Sequence, residues 1–302
     1  MKQETKARCV HNLKEIERLV AASKWRRLAK NPLRYLRAMW FSKIWYPLSG
    51  KGKLATASTF FGVSMQVLLP AGMDIYLLGA KTHLSEIRLA RWLIQQLLPS
   101  DAFVDVGAHY GFFSLLAAQL VGENGQVYAF EASANNFEFL QQNTQAIPAV
   151  QIRHCAVSDQ SGLASFYEYP ILYSEYNSLE KATSSQLTPR EIEVESICLG
   201  DFLNSLSTPP QIIKIDVEGA EHRVIAGMTD WLSRKSPTRL VMEYLAPERG
   251  NEAHRQALNQ LSALGWQAHI ILPDGQLEAC TEVEAYFKRE GVDSDNLVFM
   301  CP

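Results

Sequence analysis

The sequence holds five cysteines in 302 residues, and none belongs to a CxxC pair. Cys9, Cys155, Cys198, Cys280 and Cys301 are scattered and odd in number. That argues against a disulfide framework or a zinc knuckle and points to a reducing, cytoplasmic setting. An apolar N-terminal stretch of the signal-peptide kind is absent, so no export signal is expected. Strong net charge is absent too: −3 overall suggests neither a nucleic-acid binder nor a strongly acidic protein. Residues 54–73 carry no charge, but a membrane span is not the reading they support. Thr56, Ser58, Thr59, Ser64, Gln66 and Pro70 interrupt them, and Val63, Met65, Val67 and Leu69 alternate, which predicts a strand pair. Internal repeats and low-complexity tracts are also missing.

What is present is enough apolar residue, 47%, to bury a sizeable core. The charge is unevenly spread. Residues 1–53 hold 14 Lys and Arg against 3 Asp and Glu, a net of +11, and the remainder carries −14. This divides the chain into a basic helical extension, 1–53, and a main domain, 54–302. Within the extension Leu13, Ile16 and Val20 share a helical face. After Asn31-Pro32, a cap and first turn, Leu33, Leu36, Trp40 and Ile44 repeat at similar spacing, punctuated by Arg34, Arg37 and Lys43. Pro47, Gly50 and Gly52 are expected to end it. The preferred expectation is a helical subdomain folded on the acidic body with its charges solvated. The alternative is an arm that contacts an anionic membrane from the side or docks an acidic partner.

Beyond the extension, short strands are expected over 60–80 and a helix over 84–98, stopped by Pro99. Strand and helix then alternate: strand 102–106, helix 111–121, strand 126–130, helix 134–145 and strand 150–157. Extended pieces at 163–168 and 191–196 precede strand 211–215, helix 219–227, strand 238–243, helix 252–264 and strands 266–271 and 296–300. Such alternation predicts an α/β fold, a mostly parallel sheet with helices on both faces. In such sheets ligands bind beyond the carboxyl ends of the strands.

The stretch VDVGAHYGFF, 104–113, lies at such an end. Gly107 can adopt backbone angles closed to other residues and lets a ligand approach the backbone. Gly111 lets a helix start close by. Asp105 is placed to accept hydrogen bonds from a ligand ammonium or from backbone amides. The next strand ends in Glu131, near the distance of about 20 residues at which an acid grips a ribose in dinucleotide folds. Yet GxGxxG is absent, and Asp105 makes the turn a poor host for phosphates. A nucleoside bearing an amino acid, such as S-adenosylmethionine, suits it better than a nicotinamide cofactor. Ser158 and Asp159, after the third strand, suit adenine contacts or an ordinary turn equally. In IIKIDVEGAEH, Asp216 and Glu218 follow a buried strand, and Glu243 joins them on the same rim. These acids can orient a substrate hydroxyl, take its proton or bind a metal; Glu218 and Glu221 also suit a helix start. Without a His/Cys ligand cluster, no metal is assigned.

Four segments in order, FVDVGAHYGFFSLLAA, VYAFEASANNFEFLQQN, IRHCAVSDQSG and IIKIDVEGAEHRVIAGM, resemble the FkbM family of S-adenosylmethionine-dependent methyltransferases. The likeness covers roughly residues 75–300 and leaves 1–74 uncovered. It implies a class I, Rossmann-like sheet of seven strands, the last antiparallel, and methylation of a hydroxyl on a sugar, glycan or natural product. It places cofactor contacts at Asp105, Gly107, Ala108, His109, Gly111, Glu131, Ala132, Ser158 and Asp159. Asp216, with Glu218 or His222, is the candidate to orient or deprotonate the acceptor. Two departures stand out: His109 where the family commonly has Asn, and Ala132 where it commonly has Pro. The aromatic stretch 170–187 is either a lid over the substrate or a solvated loop. A non-catalytic scaffold that binds the cofactor and docks through its basic arm is the competing reading. Oligomeric state is not legible.

Overall fold

Two short segments, Ala102–Val106 and Ile212–Ile215, are buried at every position, as strands covered on both faces must be. Around them the computed structural model describes residues 2–170, 173–174, 177–180, 188–234 and 238–301. The chain opens with helices α1 (Lys2–Ala21), α2 (Lys24–Lys30) and α3 (Pro32–Trp40), a π-helical stretch (Phe41–Trp45) and α4 (Tyr46–Ser49). A hairpin follows, β1 (Lys53–Ser58) and β2 (Ser64–Leu69), then α5 (Met73–Leu78) and α6 (Leu84–Gln96). Next come β3 (Ala102–Val106), α7 (Phe112–Val121), β4 (Gln126–Glu131), α8 (Ala134–Thr144), β5 (Val150–His154), β6 (Ala156–Ser158), β7 (Gly162–Glu168), β8 (Arg190–Cys198) and α9 (Leu199–Ser205). The last part holds β9 (Ile212–Ile215), α10 (Glu221–Ala226), α11 (Thr229–Leu232), β10 (Arg239–Leu245), α12 (Glu252–Ala263), β11 (Gln267–Ile271), β12 (Leu277–Ala279), α13 (Val283–Glu290) and β13 (Ser294–Met300).

The main sheet has the order β12-β11-β13-β10-β9-β3-β4-β5. Strands β10, β9, β3, β4 and β5 run parallel, and β13 inserts antiparallel between β10 and β11. The seven expected strands are all there. The short β12 adds an eighth at the edge by pairing antiparallel with β11. The expected strand 150–157 is broken. Its first part pairs with β4 as far as Glu131 opposite His154, where β4 ends. The chain kinks at buried Cys155, and β6 joins a separate sheet of order β6-β8-β7. The run of short strands expected over 60–80 is also corrected, because 73–78 is helix α5, capped by Gly79 at φ 75°. Pro47 does not end the N-terminal helices; it sits in the first turn of α4, and Gly50 at φ 63° closes it.

The core lies on both faces of the sheet. On one face α6 and α7 pack through Trp92, Leu93, Leu115 and Leu116, and α1 joins them through Cys9, Leu13 and Ile16. Glu17 of α1 forms an ion pair with Arg91 of α6, and Asn12 donates to the Phe60 carbonyl at 2.8 Å. On the other face α9, α10, α12 and α13 cover the sheet through Phe202, Val224, Leu261 and Phe287. The expectation that the N-terminal helices fold on the body holds for α1 and for Ala38 and Phe41. It fails for the stripe after Pro32: Leu33, Leu36, Trp40 and Ile44 are exposed.

Candidate active site

A cavity of about 360 Å³ opens at the carboxyl ends of β3, β4 and β9, where the strand order turns back on itself. The turn after β3 forms one side. Gly107 and Ala108 both donate to the Phe130 carbonyl, at 3.0 and 2.9 Å, which ties the turn to β4. Gly107 has φ 79°, and a Cβ there would fall 1.8 Å from the Asp216 carbonyl oxygen. The close approach that requires glycine is therefore made by the backbone after β9. Gly111, at φ 88°, starts α7, and a Cβ on it would press on Leu140 of α8. His109 between them has φ 52°. His and Asn are among the side chains that tolerate this left-handed region, which makes the His109-for-Asn departure conservative in backbone terms.

Glu131, ending β4, is buried on the cavity wall. It accepts from the His109 amide at 2.8 Å, the Ser133 amide at 2.9 Å and Asn136 Nδ2 at 3.4 Å. A carboxylate offers about four acceptor positions, so capacity remains for a ligand hydroxyl. Burial raises its pKa to about 7 against the pull of those donors. Asp105 is buried and also faces the cavity. Ser114 Oγ donates to its Oδ2 at 2.6 Å, while Oδ1 has no hydrogen-bond partner among the described residues. A carboxylate oxygen that accepts no hydrogen bond on a cavity wall has room for a ligand ammonium group.

Asp216, directly after β9, lines the same cavity. Lys214, two residues back on the same face of the strand, donates to its Oδ2 at 2.7 Å and lies 3.7 Å from Asp105 Oδ1. Burial works against charge on Asp216, but Lys214 and Lys81 outweigh it and hold the carboxyl below its usual range. Lys81, held by Glu86, is half-buried and lines the same cavity; Glu86 and Asp216 keep it charged against desolvation. Burial and the charge of Lys81 push His109 down to about 3, so its imidazole is neutral. Its Nε2 is 3.3 Å from Ser174 Oγ. Glu218 also lines the cavity, at φ 55°. With Asp216 and Glu243 it forms a trio whose carboxylate oxygens lie within 4.8 Å of one another. Burial and the neighbouring Asp216 raise Glu243 to about 8.

The structure thus brings Asp105, Gly107, Ala108, His109, Glu131, Ala132, Asp216 and Glu218 to one cavity. Gly111, Ser158, Asp159 and His222 do not line it. Asp159 Oδ1 accepts from Ser158 Oγ at 2.7 Å and from Arg223 Nε at 2.9 Å. Cys155, Ala156 and Val157 take the wall in their place. The stretch 170–187 falls partly outside the described residues; within it Ser174, Asn177 and Leu179 reach the cavity. Sequence reasoning missed Lys81 and Lys214. Lys214 had a signal, a cation inside the buried run IIKI; Lys81 had none.

A parallel sheet of this order with one inserted antiparallel strand, a glycine turn after one strand and an acid ending the next define a class I methyltransferase fold. Residues 105–268 match the FkbM methyltransferase domain, and the chain belongs to this family of S-adenosylmethionine-dependent methyltransferases. The hexuronic acid methyltransferase AglP of Haloferax volcanii is 28% identical over 47% of this chain and 56% of its own length. The 31-O-demethyl-FK506 methyltransferase FkbM of Streptomyces tacrolimicus is 30% identical over 45% of this chain and 62% of its own. The chain thus spans less than two thirds of either relative. Among solved structures, a methyltransferase FkbM from Methylobacillus flagellatus is 15% identical, covering 66% of this chain and 43% of that one at a TM-score of 0.41.

Proposed function

We propose that this chain transfers the methyl group of S-adenosylmethionine to a hydroxyl of a small-molecule or glycan acceptor. The observation that carries this reading is the convergence of Asp105, Glu131 and Asp216 on one cavity at the carboxyl ends of adjacent strands. The relatives' names, a hexuronic acid methyltransferase and a 31-O-demethyl-FK506 methyltransferase, support an oxygen acceptor.

When bound, the cofactor supplies an activated sulfonium methyl. Asp105 Oδ1, without a donor of its own, suits the methionine ammonium group. Glu131 suits the ribose diol, and Ala132, Ala156 and Val157 provide apolar wall for an adenine. Holding nucleophile and methyl carbon in line can supply roughly 7–11 kcal/mol of the barrier. Asp216 orients the acceptor hydroxyl and receives its proton. The proton becomes strongly acidic only as the new C–O bond forms, so a carboxylate with a lowered pKa is base enough. Glu218 is the second acid in reach; His222 is given no role because its ring lies off the cavity. The catalytic unit is residues 54–302, with α1 of the extension packed on it.

Calorimetric titration with S-adenosylmethionine and with NAD tests the cofactor. Formation of S-adenosylhomocysteine in the presence of uronic acids and other polyols tests the acceptor. Binding of NAD in preference to S-adenosylmethionine would overturn the reading.

A further inference from the structure

The extension carries a second surface that the cavity does not use. Across α2, α3, the π-helical stretch and α4, Trp25, Leu33, Leu36, Trp40, Ile44 and Leu48 are between 48% and 84% exposed. Four of them, Leu36, Trp40, Ile44 and Leu48, recur every four residues along one continuous helical path, while Ala38 and Phe41 face inward. Trp45 is exposed beside Trp40, their rings 6.0 Å apart. Of the six tryptophans in the chain, Trp25, Trp40 and Trp45 are here and the other three are buried.

Arg26, Arg37 and Lys43 are exposed between these side chains, and Lys51 and Lys53 follow. No Asp or Glu occurs between Glu17 and Asp74. Exposed apolar side chains interleaved with cations, with no acid near them in sequence, match the chemistry of an anionic bilayer. Trp sits at the headgroup level, Leu and Ile enter the acyl boundary, and Arg and Lys reach back to lipid phosphates. No described helix is long and apolar enough to cross a membrane, which leaves a mode of binding that lies on the surface. A second copy of the chain fits poorly, because a two-fold contact would face these cations with themselves. The net −14 on the rest of the chain turns the body away from an anionic surface and orients the molecule.

We propose that the α2–α4 face docks this protein onto anionic lipid membranes. The surface adjoins the cavity's surroundings: α3 packs on α5, with Arg34 over the Tyr76 ring at 4.3 Å, and α5 supplies Met73, Asp74 and Ile75 to the cavity wall. The inference stands on exposure and charge, independently of the assigned chemistry.

The test uses the full chain with vesicles of phosphatidylcholine alone or with 30% phosphatidylglycerol. Co-sedimentation is expected to rise at least tenfold with the anionic lipid and to fall in 0.5 M NaCl. The double variant Trp40→Glu/Ile44→Glu is expected to lose at least tenfold in bound fraction while keeping its S-adenosylmethionine titration. Should that variant fail to fold, acyl-brominated phosphatidylglycerol is expected to quench roughly half of the wild-type tryptophan emission. Absence of anionic-lipid binding or of quenching would overturn the proposal. So would a wild-type dimer in sedimentation velocity that the double variant converts to monomer, since the face would then be covered by a second copy.

Discussion

Lys214 Nζ lies 2.7 Å from Asp216 and 3.7 Å from Asp105, so one buried ammonium joins two acids of the cavity wall. Burial disfavours its charge, but Asp216 and Asp105 hold it raised. Replacing it by Met leaves two carboxylates without their cation. Lys214→Met is expected to cost about 3–5 kcal/mol of stability, measured by urea denaturation. Adding Asp105→Asn should recover part of that loss, and a strictly additive double variant would refute the coupling.

Asp216→Ala removes the proposed proton acceptor without touching Glu131. Turnover at saturating cofactor should fall about 10²–10⁴-fold, while the calorimetric Kd for S-adenosylmethionine changes less than about threefold. An equal loss in both would move Asp216 from the acceptor side to cofactor binding.

Glu131→Gln keeps the shape but replaces the carboxylate proposed to accept the ribose hydroxyls. Hydrogen bonds to a charged group are worth about 1.5–3 kcal/mol, so the Kd should rise about 10–150-fold. In the wild type, burial raises this carboxyl to about 7. The ionised form is the better acceptor, so affinity should strengthen as pH rises from about 5 to 7 and level off above. The variant should lack that slope in a pH series of titrations.

Glu243 is raised from 4.5 to about 8 by burial and by Asp216. The folded chain keeps this proton after the unfolded chain has released it, so stability falls as pH climbs from about 4.5 to 8 and is flat beyond. Glu243→Gln removes that fall. Its melting temperature should match wild type at pH 4.5 and exceed it by several degrees at pH 9, at about 2–4 °C per kcal/mol.

Asp216, Glu218 and Glu243 have oxygens close enough to hold a divalent ion. Against that, Lys214 and Lys81 already face Asp216 and would repel a dication. Methyl transfer is expected to persist after treatment with EDTA and to gain less than twofold from added Mg²⁺ or Mn²⁺, read as S-adenosylhomocysteine formed.

Much of the candidate site was legible because its signals are local. Gly107 at φ 79° and the acids closing β4 and β9 occupy places that strand–turn–helix grammar marks without knowledge of distant contacts. Ser158 and Asp159 stayed open between a ligand contact and an ordinary turn, because an acid at a strand end looks alike whether it faces a ligand or an arginine. Arg223, which engages Asp159, lies 64 residues away. Lys81 was invisible for the same reason: nothing near it in the chain reveals that Asp216 will face it.

The sequence by itself determined the alternation of strands and helices, the glycine turn and the acids at strand ends, because side-chain period and backbone freedom are properties of neighbouring residues. Tertiary structure alone decided that 150–157 splits between two sheets, that two lysines converge on Asp216, and that the stripe from Leu33 to Leu48 faces outward. Each depends on what packs against a face. Periodicity reveals that a face exists, and only the folded chain decides what, if anything, covers it.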